Sequence, residues 1–211
     1  MALLPGCPRC PDPGESRDGL FVCEVHGPVP PLWRPAEPSY DAFGEHLHAS
    51  AGLPTYLPWP MSPGWRVSDF GAVSAPDREP RATVSACSGP SELDGPVDVL
   101  VVTEEPGTGL GARCAGLRSS DPGPEVGDGP AAARVRVGGQ PVSLWPVSTA
   151  EVDPGGDRSV LAGEAFGRWL WLVLQPASAL LLLRDEWQLE DVSQLGPPLV
   201  ELAFGGPAPG W

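Results

Sequence analysis

At 211 residues, with 27 acids against 13 bases and a formal net charge of −14, the chain repels a polyanion on average, which argues against nucleic acid as a partner. Every base is Arg and none is Lys, so the Lys that ends a phosphate-binding loop is missing. A hydrophobic content of 41% suits one main domain with a small appendage, and Pro and Gly, about a quarter of the residues, predict turn-rich connections around a packed body holding eight Trp.

Residues 1 to 31 read as a zinc ribbon. C-P-R-C places Cys7 and Cys10 two residues apart, C-E-V-H does the same for Cys23 and His26, and twelve residues separate the pairs. Each short turn can aim two soft ligands at one ion, which is what a tetrahedral zinc requires. Four protein ligands leave no position for water or substrate, so the expected role of the Zn2+ is structural. Between the pairs lie the turn-rich P-D-P-G-E-S-R-D and a strand-like Gly19-Leu20-Phe21-Val22. Some thirty residues bury too little apolar surface to fold alone, and a structural zinc contributes on the order of 10 kcal/mol. Pro11 stands where many ribbons have Gly after the first pair.

Residues 32 to 64 read as a Pro-rich linker with one short helix. Ser39 is its N-cap, Tyr40, Phe43 and Leu47 form its apolar stripe, and Gly52 follows its end. The segment L-P-W-P-M-S-P-G-W favours extended backbone and sets Trp59 and Trp65 against the edge of the main core.

From 65 to 211 the pattern is one of short strands, expected at Trp65 to Val73, Ala82 to Cys87, Val97 to Thr103, Ala133 to Val137, Val142 to Val147, Val160 to Glu164, Arg168 to Leu174, Ala179 to Arg184 and Leu199 to Phe204. Gly138-Gly139-Gln140 and Gln175-Pro176-Ala177-Ser178 read as hairpin turns. Trp169, Trp171 and Val173 face one way and Leu170, Leu172 and Leu174 the other, so that strand is central and covered on both sides. The expected class is α+β, mostly β: an N-terminal zinc ribbon, then a predominantly antiparallel, strongly bent sheet with one short helix. Residues 117 to 132 lack periodicity and read as a mobile loop.

Catalytic patterns are thin. G-T-G-L-G-A from Gly107 to Ala112 follows a strand, but no acid-bearing dinucleotide unit follows it, and Glu104 and Glu105 put negative charge where a phosphate would sit. A tight turn between strands is the simpler reading. A-C-S-G-P at 86 to 90 lacks the first Gly of a nucleophile elbow. Cys87 and Cys114 read as buried, inert thiols, and His46 and His48, two apart on the helix, as solvent-facing. Glu104 and Glu105, adjacent at a strand end, point to opposite faces.

Two spare thiols beside a metal site suit a reducing compartment. M-A-L-L-P-G has no basic leader region, and the apolar stretch Trp169 to Leu183 is interrupted by Gln175, Pro176 and Ser178. A cytoplasmic protein without membrane association is therefore expected.

The segments C-P-R-C, C-E-V-H-G, L-P-W-P-M-S-P-G-W, A-C-S-G-P, E-E-P-G-T-G-L-G-A-R-C-A-G-L and G-E-A-F-G-R-W-L-W-L-V-L-Q-P-A-S run over nearly the whole chain. Through them the chain resembles an uncharacterised zinc-ribbon family, a domain of unknown function, of high-GC Gram-positive bacteria. The resemblance implies a two-part cytoplasmic protein and supplies no activity. Cys114 stands where it implies a Tyr, which weakens a catalytic role for that thiol. The leading expectation is a non-enzymatic binding or adaptor protein whose partner is a protein or small ligand, with no catalytic residue. Alternatives are an acyl- or phosphoryl-transfer enzyme using loop 104 to 112 and, by analogy only, a transcription-associated ribbon.

Overall fold

The computed structural model describes residues 3–17, 19–76, 78–149, 156–185 and 187–211. Among these the chain forms β1 (Leu3–Gly6), β2 (Glu15–Arg17), β3 (Leu20–Cys23), β4 (Gly27–Pro28), β5 (Leu32–Pro35), α1 (Tyr40–Ala49) and β6 (Tyr56–Pro58). It continues through β7 (Arg66–Val73), β8 (Ala82–Ser91), β9 (Gly95–Glu104), α2 (Leu110–Ala115) and β10 (Ala133–Val137). The remaining strands are β11 (Gln140–Pro146), β12 (Ser159–Ala165), β13 (Arg168–Gln175) and β14 (Gln188–Asp191).

Strands β2, β3 and β4 make a small three-stranded sheet, and the rest form an eleven-stranded sheet in the order β1-β5-β7-β8-β9-β13-β12-β11-β10-β14-β6. Neighbours are antiparallel except β10 and β14. Strand β1, within the ribbon segment, pairs with β5, and β5 with β7, so residues on both sides of positions 31 and 64 share this sheet.

The alternation in β13 decides where the core lies. Leu170, Leu172 and Leu174 join one buried cluster with Phe43, Leu57 and Phe70, while Trp171 and Val173 join a second with Leu110, Cys114 and Val160. Phe43 of α1 meets Phe70 edge-on at 5.0 Å on the first face. Helix α2 covers the second. The sheet bends far enough for its last strand to lie across β8, where Thr83 Oγ1 donates to the Pro54 carbonyl at 2.6 Å and Ser85 Oγ to that of Tyr56. Trp65 is buried in the first cluster and Trp59 packs against it.

Ser39 caps α1, accepting the Ala42 amide at 3.3 Å. The buried stripe is Ala42, Phe43 and His46 rather than one that starts at Tyr40, which is exposed. Two expected strands are helical turns instead. Residues 179 to 184 lie in a 3₁₀ segment, Ala177–Asp185, because the four consecutive Leu do not alternate: Ala179 and Leu183 are buried while Leu181 is 39% exposed. Residues 199 to 201 complete a 3₁₀ turn opened by Pro197 and Pro198, and beyond it a single bridge from Phe204 to Val67 is what remains of strand pairing. The expected turn after β9 contains α2, a second helix. No helix among the described residues is long and apolar enough to cross a membrane.

Candidate metal centre

The first knuckle follows directly from β1 and the second closes the turn between β3 and β4. This brings one ligand atom each from Cys7, Cys10, Cys23 and His26 within 4.8 Å of one another. Cys7 and Cys23 Sγ each lie 3.5 Å from His26 Nδ1, and Cys10 and Cys23 Sγ are 3.6 Å apart. A tetrahedron with metal–sulfur bonds of about 2.3 Å and metal–nitrogen bonds of about 2.0 Å has S···S edges near about 3.8 Å and S···N edges near about 3.5 Å. The donor set and its spacing fit a tetrahedral ion, and the cluster can hold one. Such spacing is too long for a disulfide, and all three cysteines are free thiols.

Backbone amides already point at sulfur. The Arg9 N–H donates to Cys7 Sγ and the His26 N–H to Cys23 Sγ, both at 3.4 Å, which favours thiolates. Asp12 ties the knuckles together, accepting the Gly14 amide at 2.8 Å and the Glu24 amide at 3.1 Å. Those bonds, the Gly14 amide foremost, hold its carboxyl below the ordinary value. Burial pushes the Cys7 thiol up to about 12, against the bond from the Arg9 amide, and binding of an ion there would release that proton.

The ribbon is seated on the glycine-rich loop. Arg9, between the first two ligands, donates from Nη2 to the Gly107 carbonyl at 2.7 Å and from Nε to that of Thr108 at 3.1 Å. Arg113 of α2 returns the contact by donating to the Cys7 carbonyl. Trp211 packs beneath, with the Arg34 guanidinium 3.8 Å and the Arg113 guanidinium 4.9 Å from its ring. Its indole donates to Asp69 Oδ2 at 3.1 Å, the carboxylate that Arg34 also pairs with.

The loop's own polar groups are engaged from below. The Gly107 amide donates to Asp121 Oδ1 at 2.8 Å, which also accepts the Trp169 indole at 2.9 Å. Residues 117 to 132 are thus pinned at Asp121. Burial works against the Asp121 charge, but the Gly107 amide, Ser120 hydroxyl and Trp169 indole lower its pKa. The Leu110 amide donates to Glu104 Oε2 at 2.8 Å. Glu104 is wholly buried, and burial, outweighing the amides of Gly111 and Leu110, raises its carboxyl to about 7. Its Oε1 and the Trp171 indole nitrogen are both buried and neither makes a hydrogen bond of good geometry, although the indole's nearness acts to lower the carboxyl. Gly111 sits on that indole so closely that an added Cβ would lie 2.2 Å from Nε1. Gly109, at φ +87°, takes the left-handed turn, and a Cβ there would meet Arg9 Cγ at 3.0 Å.

Residues 1–210 match the profile of a family of unknown function, DUF6758. The chain belongs to this family. No curated protein and no solved structure matches it. The DUF6758 match covers the N-terminal Cys/His cluster and the β-rich body together, and the family's function is unknown.

The other candidate residues of this DUF6758 chain do not assemble. Cys87 and Cys114 are buried in opposite clusters, and burial raises the first thiol to about 12 and the second further still. His48 is exposed, but His46 is wholly buried, contrary to expectation. It stacks on Phe43 with centroids 5.5 Å apart and hydrogen-bonds Thr55 Oγ1 at 2.9 Å, and burial lowers its pKa to about 3. The Thr55 hydroxyl satisfies one ring nitrogen, which lets the imidazole serve as a core aromatic. Glu105 turns outward to Arg168 at 2.8 Å, so the two adjacent glutamates do face opposite ways. Arg9 and Arg113 were not legible as site residues. Nothing in C-P-R-C announces a partner some hundred positions away. Between ribbon and body lies an open groove of about 730 Å³ walled by Phe21, Pro30, Pro31, Trp33, Pro76 and Arg78.

Proposed function

We propose that this chain is a zinc-binding, non-enzymatic binding or adaptor protein of the cytoplasm, in which a structural Zn2+ on Cys7, Cys10, Cys23 and His26 holds a ribbon against the β-rich body. When bound, the ion cross-links the two knuckles and offers no open coordination position. The observation that carries the reading is the contact between ribbon and loop. The Gly107 and Thr108 carbonyls accept Arg9, while the Gly107 and Leu110 amides are spent on Asp121 and Glu104. The Thr108 amide is bonded to the Glu105 carbonyl at 3.2 Å, so three of the loop's amides are committed within the fold rather than turned to a phosphate or an acyl oxyanion, which disfavours acyl or phosphoryl transfer. The net charge of −14 likewise disfavours a transcription-associated role on nucleic acid. The partner is then a protein or a small ligand, and the groove beside Trp33 offers it a concave surface.

Thermal-shift measurements with millimolar nucleotides and acyl-CoA test the non-enzymatic reading. No shift in melting temperature is expected; a saturable rise accompanied by conversion of that ligand to product would overturn it, since a shift alone reports only that a ligand prefers the folded state.

A further inference from the structure

We propose that the ribbon is a clasp whose closure depends on metal occupancy: with its four ligands engaged, Arg9 and the Cys7 carbonyl lock the loop at 105 to 111 and α2, and with the ligands released that seat opens. The inference rests on the metal reading above and goes beyond it by assigning the ion control over a surface of the body.

Both locking groups belong to the first knuckle. Arg9 stands between Cys7 and Cys10, and its own amide is bonded to Cys7 Sγ at 3.4 Å, so the ligand geometry sets the direction in which its side chain leaves. The locking carbonyl is that of Cys7 itself. Arg9 is exposed, so its bonds to Gly107 and Thr108 depend on the knuckle holding the backbone in place rather than on burial around the guanidinium. The tether survives metal loss, because β1 is paired to β5 over Leu3–Gly6 and does not involve the ligands. Residues 7 to 28 then become a tethered segment instead of a detached one, and reclosure stays intramolecular.

Opening has a defined consequence. The Gly107 and Thr108 carbonyls lose the guanidinium they accept from, Arg113 loses its carbonyl partner, and the seam between Pro8, Val29, Pro30, Val73 and Thr108 is uncovered. The sheet beneath stays built, with β9 paired to β8 and β13, while the Gly107 and Leu110 amides keep Asp121 and Glu104 as acceptors but, in a loop no longer held through its carbonyls, break those bonds more often. The device therefore changes what one face displays without dissolving the sheet.

Hydrogen exchange by mass spectrometry on the full reduced chain tests this, with metal content measured on every sample. Three samples are compared: the protein as purified, the protein after chelation, and Arg9→Met with its metal in place. Chelation is expected to speed exchange over 105 to 115 about tenfold while β9 and β13 stay protected, and Arg9→Met to speed it about threefold at unchanged metal content. Exchange over 105 to 115 that ignores metal removal, or that responds to chelation but not to Arg9→Met, overturns the clasp. Exchange rising together throughout β9 and β13 also overturns it, as global unfolding. Absence of metal in the purified chain overturns the metal reading instead, and the Arg9→Met arm still reads the contact on its own.

Discussion

Replacing Glu104 with Gln probes the base of the ribbon's seat. Glu104 is wholly buried, holds the Leu110 amide at 2.8 Å, and has its carboxyl raised from 4.5 to about 7 by burial. An acid whose pKa is raised in the folded state stabilises the fold in its protonated form. That contribution is full below the unfolded value and is lost as pH rises through about 7. Between pH 8 and pH 5.5 the linkage amounts to about 2 kcal/mol in favour of the lower pH. Gln keeps an oxygen to accept the amide and fills the same volume, but it cannot titrate. Urea unfolding of both proteins at the two pH values gives the comparison, and titration of the metal ligands, common to both, cancels in the difference. The stability gap between Glu104→Gln and wild type is expected to change by about 2 kcal/mol, with the variant relatively better at pH 8. Curves that stay parallel within about 0.5 kcal/mol would refute the claim that this carboxylate is held charged against burial at high pH.

Two further outcomes follow from packing and from the ligands. Gly111→Ala would force a Cβ to 2.2 Å from the buried Trp171 indole, an overpacking cost of about 1–3 kcal/mol that outweighs the helix gain, whereas Gly44→Ala, with nothing within 4 Å, should stabilise by about 0.5–1 kcal/mol; chemical denaturation of the pair separates clash from propensity. Cys23→Ser should make residues 7 to 28 protease-sensitive under limited proteolysis while β7 through β14 stay resistant; loss of the whole sheet would mean that the body needs the ion to fold.

The parts of the fold that depend on local pattern were readable in the sequence. The period-2 alternation from Trp169 to Leu174 put β13 at the centre with both faces covered, and the register places it between β9 and β12. Ser39 announced α1 through its capping chemistry. What failed did so for physical reasons. Leu180 to Leu183 is apolar at every position, so strand and helical turn look alike there, and only the partners available in the fold decide. Helix α2 is six residues long between two left-handed glycines, too short to show periodicity, and is held by a carboxylate from the preceding strand. The cluster of Cys7, Cys10, Cys23 and His26 was legible because its spacing is local. The seat was not, because Arg9 with Gly107 and Cys7 with Arg113 are pairings across the whole body that single-sequence reading has no means to align.

The central claim is that Cys7, Cys10, Cys23 and His26 bind one zinc ion, and elemental analysis of the chain purified under reducing conditions without added metal tests it most directly. One zinc per chain is expected in the wild type, falling to near zero in Cys7→Ser and Cys23→Ser. A folded wild-type chain free of metal, or zinc content indifferent to those substitutions, would contradict it.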